Sequence, residues 1–199
     1  CESCTTPATD STAAAPEAPT GLESFLARGP WAVGVRTLQL DDRAVEVWYP
    51  VEPVAVTGQP TEVVNGIDLI SEVLQPFIPG DLGGEVDTGA YRDAPAATSD
   101  ERFPVAAYSH GSPGYRQAAT FLTGHLASHG VITIAVEHLG RSLSTLLTPL
   151  AGADTAEDDV TDLLNALDLV DGDPELGAVV DTSRMVVIGH SAGARTAAL

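Results

Sequence analysis

From Phe103 onward the apolar residues switch between two periods, and this alternation constrains the fold more than any other feature of the chain. Pro104 to Tyr108 reads as a short buried strand. Arg116 to His129 places Ala119, Phe121, Leu122, Leu126 and Ala127 at helical spacing, and Gly130 sits where a helix ends. Val131 to Val136 is a continuous apolar run rich in β-branched residues, the pattern of a strand covered on both faces. Thr155 to Val170 is helical again. Thr155 is the expected cap, Glu157, Asp158 and Asp159 suit the positive end of the helix, and Val160, Leu163, Leu164, Leu167 and Val170 form the expected core stripe. Gly172-Asp173-Pro174 stops that helix, and Met185 to Ile188 is the next strand. Strand, helix, strand, helix, strand predicts an α/β domain with a parallel sheet and right-handed crossovers.

The preceding residues read differently. Trp31 to Leu40 and Arg43 to Tyr49 both alternate, with Asp41-Asp42 between them, so an antiparallel hairpin is expected, closed by Pro50 and Pro53. Residues 51–103 carry few signals. Ile67 to Leu74 fits a short helix capped by Asn65, and Pro76, Pro79, Gly80, Gly83 and Gly84 predict loop after it. A connection of this length is either a lid or pocket wall or a plain surface excursion. Residues 1–20 contain Pro7, Pro16 and Pro19 and no large apolar side chain, so they are expected to be a disordered tail, with residues 21–199 forming the folded part.

Charge and cysteines bound the partners. The formal net charge is -19, with nine arginines and no lysine. Such a chain repels nucleic acid and anionic membrane surfaces. Cys1 and Cys4 form a C-x-x-C pair in the tail, without a second ligand pair at zinc spacing. A terminal cysteine followed by a polar Thr/Ala/Pro/Ser stretch fits a lipidated cysteine on a tether, and therefore an extracytoplasmic, secreted or lipid-anchored bacterial envelope protein.

The motif with chemical content is Gly189-His190-Ser191-Ala192-Gly193, directly after Met185 to Ile188. G-x-S-x-G between a strand and a small-residue helix is the layout of a nucleophile elbow, with Ser191 on a strained turn and glycines making room for it. The alternative is a glycine-rich turn in which Ser191 merely caps the helix. The N–H of Ala192 is the first expected oxyanion donor. The second is the N–H of Ser112, in the turn Ser109-His110-Gly111-Ser112-Pro113-Gly114-Tyr115 after the first parallel strand; Pro113 has no N–H to offer. His110, His125, His129, His138 and His190 are read as structural. After Ser191 the sequence contains no Asp, Glu or His, so no acid or histidine can be assigned to a triad. No metal site and no cofactor are expected.

Four stretches together resemble the α/β-hydrolase superfamily: Phe103 to Gly111, Leu126 to Val131, Glu137 to Ser142, and Gly189 to Gly193. Within it the chain is similar to platelet-activating-factor acetylhydrolase-like and dienelactone-hydrolase-like esterases. Val33-Gly34-Val35-Arg36-Thr37, Val47-Trp48-Tyr49-Pro50 and Arg92-Asp93-Ala94-Pro95 match that group as well. The resemblance implies an eight-stranded sheet, a serine triad and ester hydrolysis of short-chain or phospholipid acyl esters without metal or organic cofactor. It carries Ser191 over as nucleophile and Ser112 and Ala192 as oxyanion donors. Residues 21–199 are then the N-terminal part of such a domain, ending after the fifth strand, inactive alone, and leaving Met185 to Ile188 as an open apolar edge. The rival readings are a thioesterase, acyltransferase or peptidase on the same fold, and a non-catalytic surface lipoprotein that binds a partner.

Overall fold

The computed structural model describes residues 21–69, 75–77, 79, 84–143 and 156–199. The expected tail with Cys1 and Cys4, residues 70–74 of the expected helix, and the Thr155 cap lie outside these residues. Strands β1 (Ala32–Leu40) and β2 (Arg43–Val51) form the expected hairpin, turning at Asp41 with φ 49°. Asp tolerates the left-handed region better than most residues. β2 runs through Pro50, which the sequence placed at its end. Pro50 lies beyond the stretch Val45–Trp48 that the next strand pairs, where a missing N–H is tolerated.

The described residues between 51 and 103 carry more regular structure than their composition indicates. Gly66–Leu69 is a turn of 3₁₀ helix, and Asn65 Oδ1 accepts the Ile67 N–H at 3.1 Å. Strands β3 (Val63–Asn65) and β4 (Glu85–Asp87) pair as a separate two-stranded sheet, and β5 (Tyr91–Arg92) adds to the main one. Then come β6 (Phe103–Ser109), helix α1 (Thr120–Ser128), β7 (Ile132–Val136), α2 (Ala156–Asp171), the short α3 (Leu176–Val179), β8 (Val180–Gly189) and α4 (Ala192–Ala197).

The main sheet has the order β5-β1-β2-β7-β6-β8. β6 pairs in parallel with β7 on one side and β8 on the other. Strand order therefore reverses at β6, and in open α/β sheets the ligand crevice lies outside the carboxyl ends at such a point. The sheet is covered on both faces. Val45, Val47, Ile132, Ile134 and Val105 pack against Leu163, Ala166, Leu167 and Val170 of α2. Val33, Val35, Trp48, Tyr108 and Ala135 pack with Ala119 and Ala127 at α1. This is a mostly parallel α/β-hydrolase architecture. β8 is the outer strand among the described residues, and its Met185 and Val186 are 45% and 53% exposed, so the expected open edge is present.

Two helices differ from the expected ones. α1 begins at Thr120, not Arg116. The Arg116 N–H donates to Glu137 Oε2 at 3.1 Å, and its guanidinium reaches Glu137 and the fully buried Glu46. That residue is thereby committed to the sheet edge, and the chain turns toward the helix only afterwards. Phe121, expected in the core, is 81% exposed. In α2 the core stripe is Leu163, Ala166, Leu167 and Val170, whereas Leu164 is exposed.

Candidate active site

Three glycines bring the elbow against the turn after β6. Ser109 and Gly189 are register partners on β6 and β8, so the turns that follow both strands start side by side. The His190 N–H donates to the Ser109 carbonyl at 3.1 Å. A Cβ on Gly193 would collide with that same carbonyl, and a Cβ on Gly189 with the carbonyl of Gly193. A Cβ on Gly111 would come within 3.2 Å of the Ser191 Cβ. The glycines are thus demanded by close backbone approach, which is the physical content of the motif.

Ser191 has φ 53° and ψ -116°, one of three positive-φ residues other than glycine among the described residues. A residue in this region stores about 1–3 kcal/mol of strain, which the surrounding structure must hold. It occupies the N-cap position of α4, yet its side chain makes no cap hydrogen bond. The helix-cap alternative therefore leaves the strain without a purpose. Among the described residues no backbone carbonyl accepts the N–H of Ser112 or of Ala192. Ser191, Ser112, Gly111, Gly189 and His190 line one cavity of about 380 Å³, whose remaining wall is mainly Tyr108, Tyr115, Ala118, Ala119, Phe121, Leu122 and Ile188. Of the site residues expected from the sequence, Ser112, Gly189, His190 and Ser191 share this cavity wall, whereas Ala192 and Gly193 do not line it. No histidine hydrogen-bonds the Ser191 hydroxyl among the described residues. His190 is exposed beside it, and His125 and His129 contact each other with tilted rings, 4.8 Å between centroids.

Beneath the elbow lies a buried polar cluster. Ser109 Oγ is 3.0 Å from His138 Nε2, and His138 Nδ1 is 3.0 Å from Asp159 Oδ1. The last two atoms face each other off the line of a straight hydrogen bond, since neither meets full hydrogen-bond geometry. Arg141 Nη2 donates to Ser109 Oγ at 2.7 Å, and Arg141 Nη1 lies 2.8 Å from Asp159 Oδ2. Arg43 pairs with Asp162, whose carboxylate is 3.7 Å from His138. This is a serine–histidine–aspartate chain in outline, but Ser109 is fully buried and no substrate carbonyl can reach it. His138, Asp159 and Asp162 are also close enough to ligate a cation. Each carboxylate already faces a guanidinium, so a divalent ion would add charge to a balanced cluster, and we read the group as ionic pairing.

Electrostatics separate the two adjacent buried histidines. Burial pulls His110 down to about 4. Its neutral ring fits the geometry, with Nδ1–H donating to the Gly111 carbonyl at 2.8 Å and Nε2 accepting the His138 N–H at 3.1 Å. Burial also opposes charge on His138, but the Asp159 and Asp162 carboxylates outweigh it and hold His138 above the ordinary histidine value. The signs are opposite. Between about 6.5 and about 4 the unfolded chain binds a proton that folded His110 refuses, so stability falls as pH drops through that window, by about 3 kcal/mol for this group. His138 contributes stability below about 6.5 that is lost as pH rises through its raised folded value. A urea-midpoint series against pH should therefore peak near 6.5 and fall on both sides, with the His110 ring still neutral by NMR at pH 5.

Sequence reading missed Phe121 as cavity wall and Asp159 as a buried partner of His138. A signal for the second existed: Asp159 and Asp162 continue the spacing of Leu163, Ala166, Leu167 and Val170 backward along one helix face.

The family described as platelet-activating factor acetylhydrolase, isoform II, matches residues 35–164. That stretch holds the turn after β6, His138 and Asp159, and stops before the elbow. No curated protein matches the chain in sequence. Among solved structures, a ferulic acid esterase from Streptomyces cinnamoneus is similar with a TM-score of 0.65 at 24% identity, over 87% of this chain and 56% of that one. A puromycin-hydrolyzing peptidase of Mycobacterium tuberculosis is similar with a TM-score of 0.48 at 21% identity, over 82% of this chain and 19% of that one. The chain thus spans about half the length of the esterase.

Proposed function

The chain belongs to the platelet-activating factor acetylhydrolase isoform II family, and from that premise we propose that the protein hydrolyses carboxylic esters through an acyl-enzyme on Ser191. The observation that carries the reading is Ser191 itself, held at φ 53° between a strand and a helix on the wall of an apolar cavity, with its hydroxyl uncommitted to a cap. In this reading Ser191 Oγ attacks the ester carbonyl. The oxyanion is held by the N–H groups of Ala192 and Ser112, the first reinforced by the positive end of α4. The alcohol leaves, and water then releases the acid. The Ser191 proton needs a base, and the proposal requires an oriented histidine from outside the described residues.

The wall supports a choice of substrate. Phe121, Leu122, Ala118, Ala119 and Ile188 offer apolar contact, and no Arg stands among the described lining residues. With a net charge of -19 on the chain, a neutral ester with an apolar acyl or alcohol group is favoured over an anionic one. An ester of an aromatic acid, as the name of the structural relative suggests, is one example; a phospholipid acyl ester fits only if its charged headgroup stays outside the apolar wall.

The test uses the full-length protein and a fluorophosphonate probe, with the adduct mapped by mass spectrometry. A single adduct on the peptide containing Ser191, absent in Ser191→Ala, is the expected result. An adduct on another serine, or none, would overturn the proposal.

A further inference from the structure

The buried cluster grips the nucleophile turn at two points. The Ser109 carbonyl accepts the His190 N–H at 3.1 Å and is the atom against which Gly193 packs. Asp159 Oδ2, at the other end, accepts the Thr196 hydroxyl of α4 at 3.2 Å. His138 joins the two, with Nε2 toward Ser109 Oγ and Nδ1 toward Asp159, each at 3.0 Å. Its backbone N–H is held by His110 Nε2, and the same His110 ring bonds the carbonyl of Gly111, one residue before Ser112. His138 thus connects the turn that carries Ser191 with the turn that carries the Ser112 N–H, and Arg141 runs beside it, reaching Ser109 and Asp159 with its guanidinium and the Gly114 N–H with its carbonyl.

Stability alone does not account for this arrangement. Ser109 and His138 are fully buried and Asp159 nearly so, and burying ions costs several kcal/mol each before pairing returns it. Apolar side chains of the same volume would hold the fold as well or better. What directional hydrogen bonds add is a fixed distance and angle between the elements that bear them. Either protonation state of His138 keeps the link, since the neutral ring accepts the Ser109 hydroxyl proton and the imidazolium donates to the Ser109 oxygen.

We propose that His138 is a positioning residue of the active site, acting through Ser109 and Asp159 to hold the Ser191 turn and the Ser112 turn in mutual register. It does not touch substrate. The proposal rests on the reading of Ser191 as the reactive serine. A misplacement of about 1 Å between nucleophile and oxyanion donors costs about 100-fold in rate, so loss of the link is read in reactivity even where the fold survives.

The experiment measures the second-order rate of fluorophosphonate labelling at Ser191 in the full-length protein, with folding monitored by near-ultraviolet dichroism. His138→Asn retains reach toward Asp159 and loses reach toward Ser109, whereas His138→Gln does the reverse. Ser109→Ala removes the hydroxyl and leaves the carbonyl. His138→Asn and Ser109→Ala are each expected to slow labelling by about 10-fold to 100-fold. Their double variant is expected to be no slower than the slower single, because both cut one link. His138→Gln is expected to stay within a few-fold of the wild type. Should His138→Asn fail to fold, Thr196→Val reads the second grip with almost unchanged shape and is expected to label several-fold more slowly. Unchanged rates in folded variants, or losses that multiply in the double variant, overturn the positioning role while leaving Ser191 reactive. A wild type that does not label at Ser191 overturns the reading of Ser191 and this proposal with it.

Discussion

Replacing Ser191 with glycine is expected to abolish ester turnover while raising the free energy of unfolding by about 1 kcal/mol. The two effects share one cause. Ser191 is held at φ 53°, where a Cβ is crowded and glycine is not. Removing the side chain releases that strain, partly offset by the greater chain entropy of glycine in the unfolded state. In the proposed mechanism removing the hydroxyl deletes the nucleophile, and loss of a nucleophilic serine lowers kcat by about 10⁴-fold to 10⁶-fold in enzymes of that chemistry. Ser191→Ala should be equally inactive with no gain in stability, since alanine keeps the Cβ at the same φ. Urea midpoints for the three proteins, with turnover of a neutral chromogenic ester, check both halves. A glycine variant less stable than the alanine variant would show that the native turn is not strained at this residue.

The largest loss of stability is expected from Gly193→Ala. Its added Cβ meets the Ser109 carbonyl oxygen and carbon, and that carbonyl is held in place because Ser109 is the register partner of Gly189 on β8 and its oxygen accepts the His190 N–H. A clash with a flexible side chain is relieved by rotation, but here the obstacle is main chain. The remaining escape is to lift α4 from the sheet, which breaks the His190 N–H bond to Ser109 and opens the Thr196 contact with Asp159. A cost of about 3 kcal/mol or more follows from overpacking that forces backbone movement. Gly84→Ala is the control, since nothing lies within 4 Å of a Cβ there and its φ is unremarkable. It should leave the urea midpoint unchanged, and equal midpoints for Gly193→Ala and Gly84→Ala would remove the steric account of the second motif glycine.

Several elements were legible because their cause is local. The alternation of Trp31–Leu40 and Arg43–Tyr49 with two aspartates between them yields the hairpin. The run Val131–Val136 yields a strand buried on both faces, and Gly130, at φ 86°, ends α1 as its position indicates. The spacing of Gly189, Ser191 and Gly193 marked the strained turn. Less legible were residues whose role depends on a distant partner. Arg116 has the propensity to begin a helix, but Glu137 and Glu46 claim its N–H and guanidinium. Asp159 suits a helix start by charge, but α2 lies across the end of β7, where His138 and Arg141 meet it. Phe121 fits a core stripe by period, but α1 offers that side to the cavity instead of the sheet.

The sequence by itself determined the alternation of β6, α1, β7, α2 and β8, the hairpin, and the presence of a serine between two obligatory glycines, because periodicity and backbone sterics act within a few residues. Only the tertiary structure decided that Ser109, His138, Asp159 and Thr196, spread over 88 positions of the chain, form one cluster under that serine. Their contacts are made by strand order and helix crossing, and hydrogen bonds of this range stabilise nothing until the sheet has brought β6, β7 and β8 together.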